Sequence, residues 1–479
     1  MPSSRVRRSR TACPRASTLP GISTLTSTSI SMASASKASI ALLLALSGAA
    51  SLRAQAPAPL RLSFVDAVRH ASGASVDTAP AAVTIAGFRS DAAGARVREA
   101  RAALLPNLAF TGSWVNRTFN PQTLGFKIPG FSLPSLVPPF NAYDGRARVT
   151  QTLFDLSSVS RVSAARGQLS AANAERTAVI ETAAQNVALA YARAARAQAV
   201  VEARHADSVL AAELVGLAVA QQQAGVSASI DVTRARTQLA DAAGRLVVAA
   251  NQLDRAKIDL ARALGIDPNT SITLADSLSA QLGAADVPAD RGTAVTQAVA
   301  TRPDLLAEQA RGRAARQAAS AISAERLPRL DIEADYGFSG LRVPDAVGTR
   351  QVAVEVTLPI LDGFRREGRR AEQEAVVRES DVRVHDLRQQ VSADVDGALL
   401  DLRSAGAQQQ IAVERLQLAA QEVSEARQRF RAGVAGNIEV INAQSSLLRA
   451  RDADIDARFA AVSARIALAR SVGSARTLH

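Results

Sequence analysis

Three carboxylates alternate with apolar residues in the segment LDIEADYGF, residues 330–338. Asp331, Glu333 and Asp335 are spaced two residues apart, so in a β-strand their side chains share one face. Two carboxyl groups held close together could act as general acid and general base. A row of neighbours along one strand is better interpreted as the lining of a water-filled surface. The sequence therefore predicts a strand with one charged and one apolar face.

The four histidines offer little other chemistry. None of His70, His205, His385 and His479 belongs to a His-Glu-x-x-His metal motif, and the chain has no Walker loop or dinucleotide fingerprint. We interpret His205 and His385 as residues of solvated helix faces. We therefore expect no catalytic residues, no cofactor and no bound metal.

Apolar and polar residues alternate in three other segments, least regularly in the first. Together with the segment above they predict four strands, near 108–116, 145–154, 330–338 and 350–358. The polar side chains expected on the charged faces are Arg146, Arg148, Asp331, Glu333, Asp335 and Glu355. Such alternation suits either a soluble sheet packed on helices or a transmembrane ribbon with lipid on one face and water on the other.

The chain repeats itself. AGVSASIDVTRA at 224–235 matches AGVAGNIEVINA at 432–443 with an offset of 208 residues. The Leu-Pro pairs that begin at Leu105 and Leu327 form a second match, and the Pro- and Gly-rich stretch 115–143 is an insertion loop by its composition. The sequence therefore predicts two similar repeats, 57–265 and 292–473, joined by a linker at 266–291 and followed by a short tail at 474–479.

Helical periods dominate each repeat. Apolar residues recur every seven positions in the rows Val232, Leu239, Leu246, Leu253, Leu260 and Ile441, Leu448, Ile455, Val462, Ala469. The stretches 157–222 and 363–431 contain no proline, and each would extend roughly 100 Å as one helix. We expect a mainly α fold of long antiparallel coiled coils. Four strands cannot close a barrel around a lumen, so transmembrane strands would require an oligomer.

Residues 1–56 have the pattern of a secretory signal peptide, since Lys37 precedes an apolar stretch that ends in small residues. Cleavage could follow Ala54-Gln55-Ala56 or Gly48-Ala49-Ala50, and the pattern does not choose between them. Met32 would give a leader of ordinary length. Our hypothesis is therefore that residues 1–31 come from a mis-set start.

The basic charge of the chain lies mostly in this leader. Seven Lys and Arg residues precede residue 57 without any Asp or Glu, so the net charge falls from +12 for the whole chain to +5 for the remainder. No basic run remains, so we expect no nucleic-acid partner. Cys13 precedes the apolar stretch and cannot carry a lipid at a mature N-terminus. We therefore expect no lipid anchor.

The doubled strand pairs, the Leu-Pro junctions and the two AGV…[DE]V..A segments together resemble outer-membrane factors of the TolC family, over nearly all of residues 57–479. The resemblance implies a homotrimer with an α-barrel in the periplasm and a twelve-stranded β-barrel in the outer-membrane lipid of a Gram-negative-type envelope. It also implies a passive export duct of a tripartite efflux or type I secretion system. A periplasmic coiled-coil adaptor or scaffold without a pore is the alternative, although the lipoyl-like module of an adaptor is not apparent.

The resemblance places the two helix–helix turns at the periplasmic tip, where the family docks on a membrane-fusion adaptor and through it on an inner-membrane pump. The tip residues it assigns are Ala224, Gly225, Val226, Ser229 and Asp231, and Ala432, Gly433, Val434, Asn437 and Glu439. Glycine permits a left-handed turn, and Ser229 and Asn437 are suitable N-caps.

The resemblance further suggests Glu439 and Asn442 as periplasmic gate residues, with Asn442 standing where a second acid is common. This departure predicts weaker block by cations. Gln221 also departs from the second repeat, which has Arg429 at the matching position. In the first repeat SGASVDTAP at 72–80 interrupts a pattern that the second repeat keeps at 302–305, so we expect a broken or shifted first helix.

Overall fold

The computed structural model describes residues 60–73, 79–125, 134–279, 281–285, 287–288 and 290–479. The expected signal peptide at 1–56, its two candidate cleavage sites and the mis-set start at 1–31 lie outside these residues. Residues 74–78 of the expected interruption at 72–80 also lie outside them.

Each repeat contains two helices, two strands, one very long helix and a shorter helix. In the first repeat these are β1 (Leu60–Leu62), α1 (Phe64–Ala71), α2 (Ala81–Ala102), β2 (Asn107–Phe119), β3 (Val137–Phe154), α3 (Leu156–Gln223) and α4 (Ser229–Leu264). After β4 (Ile272–Leu274), the second repeat has α5 (Arg291–Thr301), α6 (Pro303–Ala324), β5 (Arg329–Gly340), β6 (Val347–Thr357), α7 (Arg365–Arg431) and α8 (Asn437–Val472). In the first repeat α1 thus ends at Ala71 and α2 begins at Ala81.

The long helices follow from the absence of proline. Helix α3 has 68 residues and α7 has 67, so each extends about 100 Å. Helix α3 packs against α2 and α6 towards the sheet and against α4 and α8 towards the helical turns, while α7 packs against α6 and α8. No helix in the described ranges is both long enough and apolar enough to cross a membrane.

One antiparallel sheet joins the two repeats in the order β2-β3-β5-β6. The central pairing of β3 with β5 places Arg148 opposite Asp335 and Thr150 opposite Glu333. The bounds predicted for the insertion loop, 115–143, were wrong at both ends. Strand β2 continues to Phe119, and β3 already begins at Val137. Prolines are tolerated there because β5 pairs with β3 only as far as Tyr143, and the register with β2 shifts between Arg117 and Phe119.

Small side chains make the helix contacts close. The buried residues of α3 between 183 and 195 are mostly alanine, with Tyr191 as the one large ring. Tyr191 is fully buried, its hydroxyl lies 3.0 Å from the Leu62 carbonyl oxygen, and burial raises its pKa to about 12. Its ring meets Phe64 edge-on at 5.6 Å. This contact fixes the parallel β1–β4 pair and α1 against α3.

A buried arginine ties α6 to α7 where α5 ends. The Arg302 guanidinium donates to Asp304 Oδ2 at 2.7 Å and to Asp394 Oδ2 at 2.7 Å. Burial alone would raise the pKa of Asp304, but the hydrogen bonds and charge of Arg302 outweigh it and hold that pKa below its ordinary value. Asp304 therefore stays ionised and the buried cation stays paired.

Replacing Gly167 by alanine is expected to loosen the α3–α6 contact. A Cβ there would lie 3.0 Å from the Ala314 Cα, whereas a Cβ at Gly216 would meet nothing within 4 Å among the described residues. Overpacking costs about 1–3 kcal/mol, while Gly→Ala in an open helix position stabilises by about 1 kcal/mol. Thermal melts followed by circular dichroism should show a lower Tm for Gly167→Ala and an equal or higher Tm for Gly216→Ala. Equal melting of the two variants would contradict this packing.

Candidate functional site

The two helix–helix turns have the same backbone geometry. At the end of α3, Gly225 N–H donates to Gln222 O and Val226 N–H donates to Gln221 O, both at 3.0 Å. At the end of α7, Gly433 donates to Phe430 O at 3.0 Å and Val434 to Arg429 O at 3.1 Å. This is the Schellman motif, which satisfies the last helical carbonyls and requires a left-handed residue.

Glycine supplies that conformation in both turns. Gly225 has φ 76° and Gly433 has φ 73°. Since a side chain with a Cβ rarely adopts such a φ, the Ala-Gly-Val match between the repeats has a direct structural cause. Ala224 and Ala432 are the C-cap residues of α3 and α7.

The expectation that Ser229 and Asn437 are N-caps was wrong. The N-caps are Ala228 and Gly436, and no side-chain capping bond is described at either one. Asn437 lies one position further on, because its amide turns to the other repeat and donates to the Asp231 carbonyl at 2.8 Å. Asp231 and Glu439 lie in the first turns of α4 and α8, where a carboxylate is favoured by the helix dipole.

Side chains bind the two turns to each other. Asn437 is fully buried, and Gln221 Nε2 donates to Phe430 O at 2.6 Å. Sequence reasoning missed these cross-repeat contacts. The mismatch between Gln221 and Arg429 at otherwise matching positions could have indicated them. Gln221 contacts the Phe430 carbonyl and Arg429 contacts Glu439, and among the described residues neither contact has an equivalent in the other repeat.

The two gate candidates, Glu439 and Asn442, differ in their contacts. Glu439 Oε1 lies 2.8 Å from Arg429 Nη1, and both side chains are partly exposed. Asn442 is exposed on the same helix. The negative charge of Glu439 is therefore offset by a cation of its own chain.

An exposed apolar patch surrounds the turns, formed by Val226, Ile230, Val434 and Ile438, which we call the tip patch. Val434 and Ile438 match Val226 and Ile230 at the repeat offset. Val226 is 64% exposed and Val434 is 71% exposed, although both side chains are large and apolar. Sequence reasoning named the two valines and missed the isoleucines, because isoleucine in the first turn of a helix also suits a buried staple.

All six expected lumen residues lie on one face of the sheet. Arg146 forms ion pairs with Asp144 at 3.0 Å and with Asp335, and Arg148 pairs with Glu333 at 2.9 Å. Asp331 forms an ion pair with Arg329 at 2.6 Å and accepts a hydrogen bond from the Thr152 hydroxyl at 2.9 Å, and Glu355 accepts one from the Thr357 hydroxyl at 3.3 Å. Charges of both signs thus lie on this face, with arginines of β3 paired to carboxylates of β5.

The opposite face of the sheet is apolar and exposed. The large side chains on it are Leu108, Phe110, Trp114, Val149, Tyr336, Phe338, Val352, Val354 and Val356. A soluble protein rarely leaves so many neighbouring apolar side chains uncovered. This face is an interaction surface.

The chain belongs to the outer membrane efflux protein family. The sequence profile of the family matches residues 81–266 and 294–474. The resemblance inferred from the sequence is thereby confirmed, as is the mainly helical fold with two repeats and added strands.

Individual relatives agree with this assignment. Protein CyaE of Bordetella pertussis is 29% identical over 304 residues, which cover 62% of this chain and 64% of that protein. The pyoverdine export outer membrane protein OpmQ of Pseudomonas putida is 24% identical over 277 residues, 56% of each chain. The chain thus matches less than two thirds of the length of these curated relatives. The structure of the outer membrane protein VceC of Vibrio cholerae superposes with a TM-score of 0.70 at 20% identity, over 85% of this chain and 96% of that one.

Replacing Gln221 by alanine is expected to loosen the paired turns, because the Phe430 carbonyl loses its partner from the other repeat. Losing one such bond costs about 1 kcal/mol. Hydrogen exchange at residues 430–434 should therefore speed up several-fold. The neighbouring exposed Gln222→Ala is the matched control and should leave exchange unchanged. Equal exchange in both variants would show that the cross-repeat bond does not hold the turns together.

Proposed function

We propose that this protein is the outer-membrane channel of a tripartite efflux or type I secretion system, a passive duct through the outer membrane and periplasm. The observation that carries the proposal is the sheet with one exposed apolar face and one charged face, attached to helices about 100 Å long. Lipid would cover the apolar face and water the charged one. A periplasmic adaptor or scaffold has no use for such a sheet.

The sheet edges support a trimer. Within the described residues β2 pairs only with β3, and β6 only with β5. Unpaired backbone groups are not tolerated in lipid, so each free edge must meet another strand. Pairing β6 of one copy with β2 of the next closes a ring, and three copies supply twelve strands.

The helical layer has matching free edges. Helices α2 and α4 form one edge and α7 forms the other. Phe88 on α2 and Val247 on α4 are exposed, as are Val382, Leu400 and Ile411 on α7. Contact between these edges in neighbouring copies would bury apolar surface and continue the ring from the sheet into a helical barrel.

The tip patch is the proposed docking surface for a periplasmic membrane-fusion adaptor, which links the duct to an inner-membrane pump. Support comes from its exposed valines and isoleucines and from the rigid Schellman turns that present them. In this proposal Glu439 and Asn442 border the periplasmic opening, and the ion pair of Glu439 with Arg429 weakens an acidic ring there. The chain itself performs no catalysis, and the energy for transport comes from the pump.

The membrane face is tested by introducing arginine at adjacent positions of β6. Val354→Arg places a charge on the apolar face, which costs about 2–4 kcal/mol in the middle of a bilayer, whereas Ala353→Arg places it on the charged face. Val354→Arg should abolish the heat-sensitive trimer in the membrane fraction, and Ala353→Arg should retain it. Wild-type trimers should also conduct ions in planar bilayers. A soluble wild-type monomer, or equal assembly of the two variants, would reject the channel.

Docking is tested by the variants Gly225→Val and Gly433→Val. Valine is strained in the left-handed region, so both turns should deform and crosslinking to the adaptor should be lost together with efflux. Trimer yield and conductance serve as the internal control, because the turns lie far from the sheet along α3 and α7. Unchanged crosslinking and efflux would count against the tip assignment.

A further inference from the structure

The turn between β6 and α7, residues 358–364 with the sequence LPILDGF, exposes four large apolar side chains, of which Leu358 is the least exposed. Ile360 is 87% exposed, Leu361 is 80% exposed and Phe364 is 75% exposed. These values exceed those of the apolar residues on β6 itself. Neither the charged sheet face nor the tip patch accounts for them.

The turn is held rigidly. The buried side chain of Arg366 donates from Nε to Asp362 Oδ2 at 2.8 Å, and from Nη1 to the Pro359 carbonyl at 3.1 Å and the Glu325 carbonyl at 3.3 Å. One arginine thus joins the turn to the end of α6. The exposed apolar side chains therefore lie on a turn whose backbone is held by hydrogen bonds.

The backbone conformation at Gly363 and Phe364 also indicates that the turn is held in place. Gly363 has φ 68° and Phe364 has φ 63°, and Phe364 is the one non-glycine residue with positive φ in the described ranges. A bulky residue adopts this conformation only where its surroundings enforce it. Here the strained conformation projects the Phe364 ring outwards.

The first repeat lacks this arrangement. Asp155 corresponds to Asp362, but it caps α3 directly by accepting from Ser157 N–H at 2.9 Å, and the helix begins at Leu156. The second repeat instead inserts a left-handed step before α7. The projecting turn is therefore a feature of one repeat, at the edge strand β6.

The position of the turn and the charge beside it indicate what its exposed side chains contact. Leu358 and Ile360 continue the even-numbered apolar row of Val352, Val354 and Val356 beyond the end of β6. Arg365 follows at once, and its side chain is exposed and has no hydrogen bond or ion pair to any described residue. Apolar side chains beside a free cation suit the boundary of a phospholipid leaflet, where hydrocarbon meets phosphate.

We infer that residues 358–364 insert into the periplasm-facing phospholipid leaflet, with Ile360, Leu361 and Phe364 at the edge of the hydrocarbon and Arg365 at the headgroup phosphates. This inference rests on the proposed function. Contact of this turn with a second copy of the chain is less favoured. Strands of two copies pair in the plane of the sheet, whereas Leu358 and Ile360 continue a row of side chains that stand perpendicular to that plane.

Tryptophan fluorescence in the full trimer tests the insertion. Trp114 is the only tryptophan of the chain, so Trp114→Phe provides a silent background for Phe364→Trp. Leu361→Trp serves as a second reporter, since its backbone is not left-handed. The trimers are reconstituted in vesicles of phosphatidylcholine and phosphatidylglycerol, with bromine on the acyl chains either near the headgroup or near the methyl end.

Both reporters should lose most of their emission in lipid brominated near the headgroup and less in lipid brominated near the methyl end. Tyr336→Trp in the same background is the control, at the middle of the apolar sheet face, and should respond most to the deeper bromine. Loss of quenching in the control would reject the membrane sheet and the proposed function.

Quenching of the Tyr336→Trp control without quenching of the two reporters in the turn would overturn this inference and leave the proposed function standing. Blue-shifted emission in that case would place the turn against another copy of the chain. Red-shifted emission quenched by aqueous iodide would place it in solvent.

Discussion

The open edges of the four-stranded sheet are the constraint on which the rest of the molecule depends. A backbone N–H or C=O without a partner is costly in lipid, so β2 and β6 can enter a bilayer only beside other strands. The two faces of the sheet impose a matching requirement, because charge on one side and apolar rings on the other cannot share a solvent. Closure into a ring satisfies both requirements. The α2, α4 and α7 edges, with their exposed apolar residues, extend the same requirement along the helices.

Alanine makes the helical part compatible with that closure. Where Ala218, Ala235 and Ala443 are buried among α3, α4, α7 and α8, away from α1, β1 and β4, neighbouring helices approach closely and the layer stays one helix thick. Larger residues occur where the layer is thickened by α1, β1 and β4, and the pairing of Phe64 with Tyr191 belongs there. The largest buried cluster thus lies near the middle of the long helices, and a second apolar cluster, which includes Phe430 and Val440, packs the end that carries the turns.

Sequence patterns predicted the features that depend on local rules. Alternation identified all four strands of the sheet, and Ala-Gly-Val identified both left-handed turns, because these signals arise from neighbouring residues of the same segment. Patterns failed where distant segments decide. Asn437 was expected to cap its own helix, yet its amide reaches across to Asp231. The start of β3 was missed because Pro138 and Pro139 normally exclude a strand, and only the one-sided pairing with β2 permits them. Ile230 and Ile438 have no pattern that separates an exposed patch from a buried staple.

The near identity of the two turns has a consequence for symmetry. In a closed trimer six Schellman turns would face the periplasm, and a protein that contacts only backbone and Val226 or Val434 would meet them as sixfold equivalent. Gln221 in one turn and the pair of Arg429 with Glu439 in the other break this equivalence. In such a trimer, any partner that contacts the charged pair would be restricted to threefold stoichiometry, so one ionic contact would decide how many copies of a partner bind.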